Sequence, residues 1–245
     1  MRWICHSSPL ISRKTKRGEW RIWRGLDLGT ELDLMRDYPK PKDRLKSRPI
    51  VSEEDREISR KFDRQYFDGD RKYGYGGYSY NERYWGATVI NFAKHYNLNS
   101  NSSILDVGCA KGFMLKGFKN LLPDSKIAGI DISNYAIRNG HLDVRNFLVQ
   151  GSAIELPFSD RAFDLVISIN TIHNLKMEDC IQSLREIQRV SKGNSFVMVD
   201  GWKNDIEKVN LEAWVLTAQT ILSSDKWLEL FNEAGYTGDY AFWTV

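Results

Sequence analysis

The sequence has few of the residues that form disulfide frameworks or metal centres. Its three cysteines, Cys5, Cys109 and Cys180, are far apart and form no Cys-x-x-Cys pair. Closely spaced cysteines are the usual sign of structural zinc or of a small disulfide-bonded domain. We therefore expect reduced thiols and no bound metal.

Long apolar runs are also lacking. Stretches such as residues 163–169 have the length of a strand, far short of the roughly 20 apolar residues that cross a bilayer. The amino-terminal region has no apolar stretch of signal-peptide length. With 245 residues, 42% of them hydrophobic, the chain can still bury a sizeable core. These features predict a globular, cytoplasmic protein without a membrane span.

The charge is not strongly of one sign. Residues 1–64 hold 17 Lys and Arg against 11 Asp and Glu, whereas residues 65–245 hold 18 against 21. A basic amino-terminal region could contact the phosphates of a nucleic acid, a nucleotide-linked substrate or a lipid surface. Because acidic residues are interleaved with the basic ones and the surplus is modest, nucleic-acid binding is not predicted from charge.

Three regions differ in composition. Residues 1–65 have few periodic apolar positions and include Pro39 and Pro41, so they predict an extended arm. Residues 66–81 contain five tyrosines among several glycines. This pattern predicts a loop that packs on something or a substrate lid, since glycines supply hinge freedom. Residues 82–245 form the folded domain.

Strand-like and helix-like segments alternate in this domain. The predicted strands are 103–107, 126–130, 145–149, 163–169 and 195–200, with a last strand within 236–245. The predicted helices are 82–96, 113–121, 135–139, 178–190 and 225–234. Such alternation predicts a doubly wound, mainly parallel Rossmann-like α/β sheet of six or seven strands, with an N-terminal extension.

A glycine turn follows the first strand of that domain. Ligands of doubly wound sheets bind beyond the carboxyl ends of the strands, so this turn is a candidate site. Gly108 permits a sharp bend, Ala110 is small where a ligand would approach, and Gly112 opens the next helix with free N–H groups. The run Gly-Cys-Ala-Lys-Gly-Phe lacks the third glycine of the dinucleotide fingerprint.

Two carboxylates indicate what the ligand carries. Asp106 lies two residues before the first glycine, where it suits the ammonium of an amino acid better than a pyrophosphate. Asp131 ends the second strand at the separation expected of a carboxylate that accepts ribose hydroxyls. Asp131 or Ser133 could instead cap the next helix. Together the two carboxylates predict an amino-acid nucleoside as the ligand.

Four runs in order resemble the class I S-adenosylmethionine-dependent methyltransferases, in particular the type 11 methyltransferase domain. They are residues 104–112, 129–133, 151–158 and 163–168, and the resemblance extends over about residues 82–240. It implies S-adenosylmethionine as cofactor. It assigns the methionine portion to Asp106, Gly108 and Ala110, the ribose to Asp131, the adenine to Ile132, Ser152 and Ala153, and the pocket lining to Asn170 and Thr171.

The chain departs from the family pattern in two places. Ala110 stands where many members have glycine, and only one strand is evident after Asp225, where the family has a terminal hairpin. The sequence therefore does not decide whether the sheet has a seventh strand. The Tyr/Gly loop before the domain is similar to a bacterial subgroup associated with surface-polysaccharide gene clusters. That resemblance implies a small-molecule or sugar-linked substrate.

A hydroxyl acceptor would need a base, and His173 is the candidate. It follows the fourth strand directly, and histidine has a pKa of about 6.5. His173 could instead position the substrate or act in structure alone, and an anionic acceptor oxygen would need no base. The aromatic residues Tyr73, Tyr75, Tyr78 and Trp202 are candidates for substrate contact or lid closure.

Several other activities stay open or are disfavoured. Enzymes that methylate exocyclic amines of DNA bases have a Pro-Pro-aromatic run after the fourth strand, whereas this chain has Asn170 and Thr171 there. Cytosine C5 methyltransferases need a cysteine preceded by proline, and Cys180 lacks that proline. Both kinds of base methylation are therefore disfavoured. An RNA or protein methyltransferase that docks through the arm remains an alternative. So does a cofactor-binding protein without turnover. An oligomer is possible.

Overall fold

Short elements precede the main domain. The computed structural model describes residues 11–14, 20–23, 28–39 and 50–244. Strands β1 (Ile11–Lys14) and β2 (Trp20–Trp23) pair antiparallel, and the helices α1 (Glu53–Ser59) and α2 (Arg64–Asp68) follow. Helix α1 begins at a capping box, in which the side chains of Ser52 and Asp55 each accept the backbone N–H of the other.

Seven strands form the main sheet. They are β3 (Ser103–Val107), β4 (Lys126–Asp131), β5 (Leu148–Gln150), β6 (Leu165–Ile169), β7 (Ser195–Trp202), β8 (Leu222–Ser223) and β9 (Asp239–Trp243). The order is β5-β4-β3-β6-β7, and β8 and β9 pair with different parts of β7. All of these pairings are parallel. The doubly wound α/β fold predicted from the alternation is confirmed, with seven strands.

Helices cover both faces of this sheet. They are α3 (Glu82–His95), α4 (Phe113–Leu121), α5 (Asn134–Arg138), α6 (Met177–Val190), α7 (Asp205–Trp214) and α8 (Ser224–Ala234). Side chains of β7 alternate between two cores: Phe196 and Met198 pack with α3 and α4, and Val197 and Val199 pack with α6 and α8. Because both faces of the central strands are buried, β3, β6 and β7 are mainly apolar.

The strand order reverses between β3 and β6, and this reversal positions the site. From β3 the chain first adds β4 and β5 on one side, then crosses to β6 and β7 on the other. The backbone N–H groups of Gly108 and Cys109 both donate to the carbonyl of Ile130, at 2.7 and 3.1 Å. The carboxyl ends of β3 and β4 are thereby fixed together at the point where doubly wound folds bind ligands.

Most elements of the domain lie close to their predicted bounds, with exceptions where the sequence signal is weak. Residues 145–147 form a 3₁₀ turn, and the predicted strand there is limited to β5. Helix α7 was not predicted, because Ile206 and Val209 face outward and the apolar stripe is incomplete. Strand β9 is parallel to β7. No helix among the described residues has both the length and the apolar character needed to cross a bilayer.

The region predicted as an extended arm is more structured than expected. Leu34 and Met35 are buried in the core on the α3 side, and the N–H of Leu32 donates to the carbonyl of Tyr240 at 2.8 Å. Residues 32–35, which show no helical or strand periodicity, are therefore held by contacts with elements that are distant in sequence, such as β9. Cys5, Lys16 and Arg17 lie outside the described residues, and Cys109 and Cys180 are buried free thiols.

Replacing Leu184 with alanine tests the core beneath α6. Leu184 is fully buried, so the change deletes packed atoms and leaves a cavity. We expect the free energy of unfolding to fall by about 2–5 kcal/mol. The neighbouring Arg185→Ala, on the exposed side of the same helix, should stay within about 0.5 kcal/mol of the parent. Urea unfolding followed by circular dichroism measures both, and equal losses would contradict this packing.

Candidate functional site

The turn between β3 and α4 has three residues in the left-handed backbone region. Gly108, Ala110 and Gly112 have φ values of 82°, 49° and 74°. A Cβ at Gly108 would lie 2.1 Å from Oγ1 of Thr171, so only glycine lets the loop after β6 pack on this turn. Ala110 pays a conformational cost that glycine would avoid, which explains the family's preference there.

The structure alters the role expected of Gly112. Its backbone N–H donates to the carbonyl of Cys109 at 2.8 Å, so it is not free for a ligand. A Cβ at this position would lie about 3.0 Å from side-chain carbons of Val144 and Leu148. Gly112 therefore closes the turn tightly against β5 and shapes the site rather than binding through its N–H.

Two carboxylates stand at the ends of β3 and β4, of which Asp106 is buried and Asp131 is half-buried. Asp106 is 6% exposed, and burial, followed by the nearby charge of Asp131, raises its pKa to about 7. Asp131 accepts the N–H of Ala110 and the N–H of Ser133, both at 2.8 Å. Burial raises the pKa of Asp131, and these two hydrogen bonds oppose the rise. The pair gives the site a concentrated negative charge that a cationic ligand would relieve.

An apolar surface adjoins Asp131. The Ile132 side chain is 56% exposed directly after it, and the N–H of Gly151 donates to the Asp131 carbonyl at 2.9 Å. This bond brings the loop of Ser152 and Ala153 to the same strand end, and its assignment to adenine stays a prediction. A cavity of about 430 Å³ lies here and is lined by Ile132, Ser133, Tyr135, Gln150 and, from another part of the chain, Lys61 and Phe62.

Asn170 and Thr171 face the glycine turn from the end of β6. Asn170 has a φ of 52°, and its side-chain Oδ1 is buried without a hydrogen-bond partner among the described residues. Thr171 donates its hydroxyl to the carbonyl of Ile169 at 3.1 Å. A buried acceptor without a donor is unfavourable, so Asn170 is available to a ligand group that carries an N–H or O–H.

His173 lies deeper than a substrate-facing base would. It is 3% exposed, and its Nδ1 accepts the N–H of Asp200 at 3.0 Å. Its Nε2 is 3.6 Å from Oδ2 of the same Asp200. Burial lowers the pKa of His173, and the charge of Asp200 opposes this effect. Both ring nitrogens thus face Asp200, and the ring fixes the loop after β6 to β7.

The predicted aromatic contacts separate into two groups. Tyr75 and Trp202 pack against a cluster that includes Trp214, and the Tyr75 hydroxyl accepts the N–H of Leu216 at 2.8 Å. The Nε1 of Trp202 is buried without a partner among the described residues. Tyr73 and Tyr78 belong to neither that cluster nor the buried core; Lys72 lies over the Tyr73 ring, and Tyr78 is 43% exposed.

A lysine in the glycine turn had no predicted role. Lys111 is 6% exposed, and its Nζ is 2.5 Å from Oδ1 of Asp68 and 3.0 Å from the carbonyl of Tyr78. We call residues 62–80 the cap, because they lie over the glycine turn and the loop after Asp131. The sequence shows only that Lys111 is a charged residue among small ones in a turn. Its partners Asp68 and Tyr78 lie more than 30 positions away, so the sequence could not identify them.

Comparison with known proteins agrees with this geometry. A family model described as a methyltransferase domain matches residues 105–199. The chain is 34% identical over 129 residues to the tRNA (carboxymethyluridine(34)-5-O)-methyltransferase of Arabidopsis thaliana, an alignment that covers 52% of this chain and 30% of that protein. It is 30% identical over 114 residues to the demethylmenaquinone methyltransferase of Roseiflexus sp. (strain RS-1), covering 45% and 46%.

The similarity to these relatives is partial. The chain spans about a third to a half of their lengths. A solved structure, that of the BH2331 protein from Bacillus halodurans C-125, shares the fold with a TM-score of 0.50 at 20% identity, covering 61% of this chain and 68% of that one. The matched residues contain the glycine turn and both carboxylates. The similarity to a methyltransferase domain is therefore carried by residues 105–199, which hold the candidate site.

Proposed function

We propose that this protein transfers the methyl group of S-adenosylmethionine to an oxygen of a small or sugar-linked molecule. The observation that carries the proposal is the pair of carboxylates, buried Asp106 and half-buried Asp131, beside the reversal point of the sheet. S-adenosylmethionine has an ammonium, a sulfonium and two ribose hydroxyls, and carboxylates at these positions suit each of them.

The residues present fit this cofactor. Asp106 would hold the ammonium, and each oxygen of Asp131 keeps acceptor capacity for a ribose hydroxyl beyond its one backbone hydrogen bond. Ile132 offers an exposed apolar side chain to the adenine ring, beside the loop of Ser152 and Ala153. The methionine portion would lie along the backbone of Gly108 and Ala110, and Thr171 and Asn170 would line its far side.

When bound, the cofactor supplies an electrophilic methyl group, and the remaining work is positioning. Tyr75, Trp202 and Trp214 form an aromatic cluster beyond the end of β7, and the free Nε1–H of Trp202 would donate to an acceptor oxygen. We place the methyl acceptor between this cluster and Asn170. Tyr73 and Tyr78 remain predictions for substrate contact, since neither belongs to that cluster.

His173 has two possible roles, and its surroundings favour one of them. A general base needs a free lone pair within reach of the acceptor proton. The Nδ1 lone pair already accepts the N–H of Asp200, and Nε2 faces the carboxylate of Asp200. This geometry supports a positioning role, in which His173 holds Asn170 and Thr171 in place. The prediction of a general base is untested.

A second candidate is methylation of RNA. It is favoured by the Arabidopsis relative, whose name states a tRNA substrate and an oxygen acceptor. The modest positive charge of residues 1–64 would assist such binding. Affinity for tRNA that falls steeply with salt would support this candidate over a small acceptor. A role in surface-polysaccharide synthesis rests on the resemblance of the Tyr/Gly loop alone and stays a prediction.

Cofactor binding is the first test. Calorimetric titration should detect S-adenosylmethionine and S-adenosylhomocysteine and no binding of NAD. We expect Asp131→Asn to raise the dissociation constants about tenfold or more, because it removes charged hydrogen bonds to the ribose. The exposed Asp124→Asn is the matched control and should bind like the parent. A preference for NAD, or equal binding by the Asp131 variant, would contradict the proposal.

The dependence of binding on pH tests Asp106. Its pKa is raised to about 7, and the cofactor's ammonium favours the ionised form, so binding below pH 7 must release a proton. We expect affinity to fall about tenfold per pH unit from pH 7 to pH 5.5 and to level off above pH 7.5. Asp106→Asn should bind weakly with no such slope. Calorimetry in buffers of different ionisation enthalpy measures the released proton, and a pH-independent affinity in the parent would argue against this role.

The two roles of His173 predict different kinetics with an acceptor found by screening. If the residue positions the loop, His173→Asn should lower kcat by about tenfold or less and keep the parent's pH profile, since asparagine retains a hydrogen-bonding group. Loss of a general base would cost about 10²–10⁴-fold and remove the acidic limb of the profile. The second outcome would restore His173 as the base.

A further inference from the structure

A buried lysine in the glycine turn joins the candidate cofactor site to the cap. Lys111 follows Ala110 directly, and its side chain is only 7% exposed. An ammonium removed from water to this degree requires an ionic partner. Asp68 supplies it at 2.5 Å, and the carbonyl of Tyr78 accepts a second hydrogen bond at 3.0 Å. Both partners belong to the cap, so the Lys111 ammonium bonds to the cap in this conformation.

The same aspartate also contacts the other cofactor loop. The second oxygen of Asp68 accepts the hydroxyl of Tyr135 at 2.8 Å, and the Tyr135 ring stacks on Phe67 with 6.4 Å between centroids. Tyr135 lies in α5, four residues after Asp131. The hydroxyl of Ser133 donates to the carbonyl of Phe62. The start of the cap is thus tied to the loop after Asp131, while Asp68 spans both loops at once.

The far part of the cap has a separate attachment. Tyr75 is fixed by its hydrogen bond with Leu216 and by its packing near Trp214. Gly76 and Gly77 follow with φ values of 90° and 76°, a backbone conformation that bends the chain between Tyr75 and Tyr78. Loss of the contacts at Lys111 would therefore detach the cap from the glycine turn and leave its attachments at Phe62 and Tyr75 in place.

We propose that Asp68 and Lys111 form a latch that holds the cap closed over the bound sulfur nucleoside and sets the rate of its release. The proposal rests on the proposed function. Asp68 and Lys111 act as positioning residues, because they fix the cap rather than the reacting atoms. A ligand whose amino-acid portion lies on the glycine turn and whose ribose lies at Asp131 sits beneath both contacts of Asp68, so its exchange requires the latch to open.

Release of S-adenosylhomocysteine tests the latch. Stopped-flow displacement should give dissociation rates about tenfold higher for Asp68→Asn and for Lys111→Met than for the parent, since each change breaks a buried charged contact. The double variant should add little to either single one, because both changes break the Asp68–Lys111 pair and the asparagine at position 68 still accepts the Tyr135 hydroxyl. The matched control is Lys116→Met, which breaks the pair between Lys116 of α4 and Asp143, outside the cap. It should release the ligand at the parent's rate.

Hydrogen exchange supplies a readout that is independent of the ligand. In the ligand-free protein, amides of residues 64–74 should exchange faster in Asp68→Asn than in the parent, while those of β3 and β6 stay unchanged. Normal binding with unchanged release and exchange, or an equal effect of Lys116→Met, would overturn the latch alone. A parent protein that binds no sulfur nucleoside would overturn the proposed function and the latch with it.

Discussion

The proximity of two carboxylates, buried Asp106 and half-buried Asp131, is the constraint on which the site depends. Asp106 and Asp131 end adjacent strands, and the pKa of Asp106 is raised to about 7 because ionisation there is opposed by burial and by the second charge. Such a pair costs stability in the ligand-free protein, increasingly as the pH rises from about 4 through 7. The backbone N–H groups of Ala110 and Ser133 offset part of that cost. A cationic ligand would offset the remainder of the cost. The pair of carboxylates thus destabilises the ligand-free protein but favours binding of a cation.

The surrounding structure keeps this charge intact. The cation in the glycine turn, Lys111, pairs with Asp68 in the cap. Its ammonium therefore attaches the cap to the turn rather than serving as a partner for Asp106 or Asp131. Gly108 has a related effect, because its lack of a side chain lets Thr171 close the turn from the side of β6. The cap, the glycine turn and the loop after β6 pack together near the carboxylates. The site therefore depends on this packing as well as on charge.

The sequence predicts the parts of this arrangement that depend on local pattern. Strand β3 and helix α4 have the predicted bounds because apolar runs and a glycine turn mark them. The latch could not be predicted, since Asp68 and Lys111 are 43 positions apart and meet only in the fold. Leu34 and Met35 are ordered by contacts with distant elements in the same way. The roles of the predicted site residues stay predictions, and most of these residues lie at the carboxyl ends of β3, β4, β5 and β6.

A crystal structure of the complex with S-adenosylhomocysteine tests the central claim most directly. The account predicts the amino group of the ligand beside Asp106, its ribose hydroxyls on Asp131, its adenine against Ile132, and the Asp68–Lys111 pair closed above it. Ligand density on another face of the sheet, or a ribose that does not contact Asp131, would contradict the account.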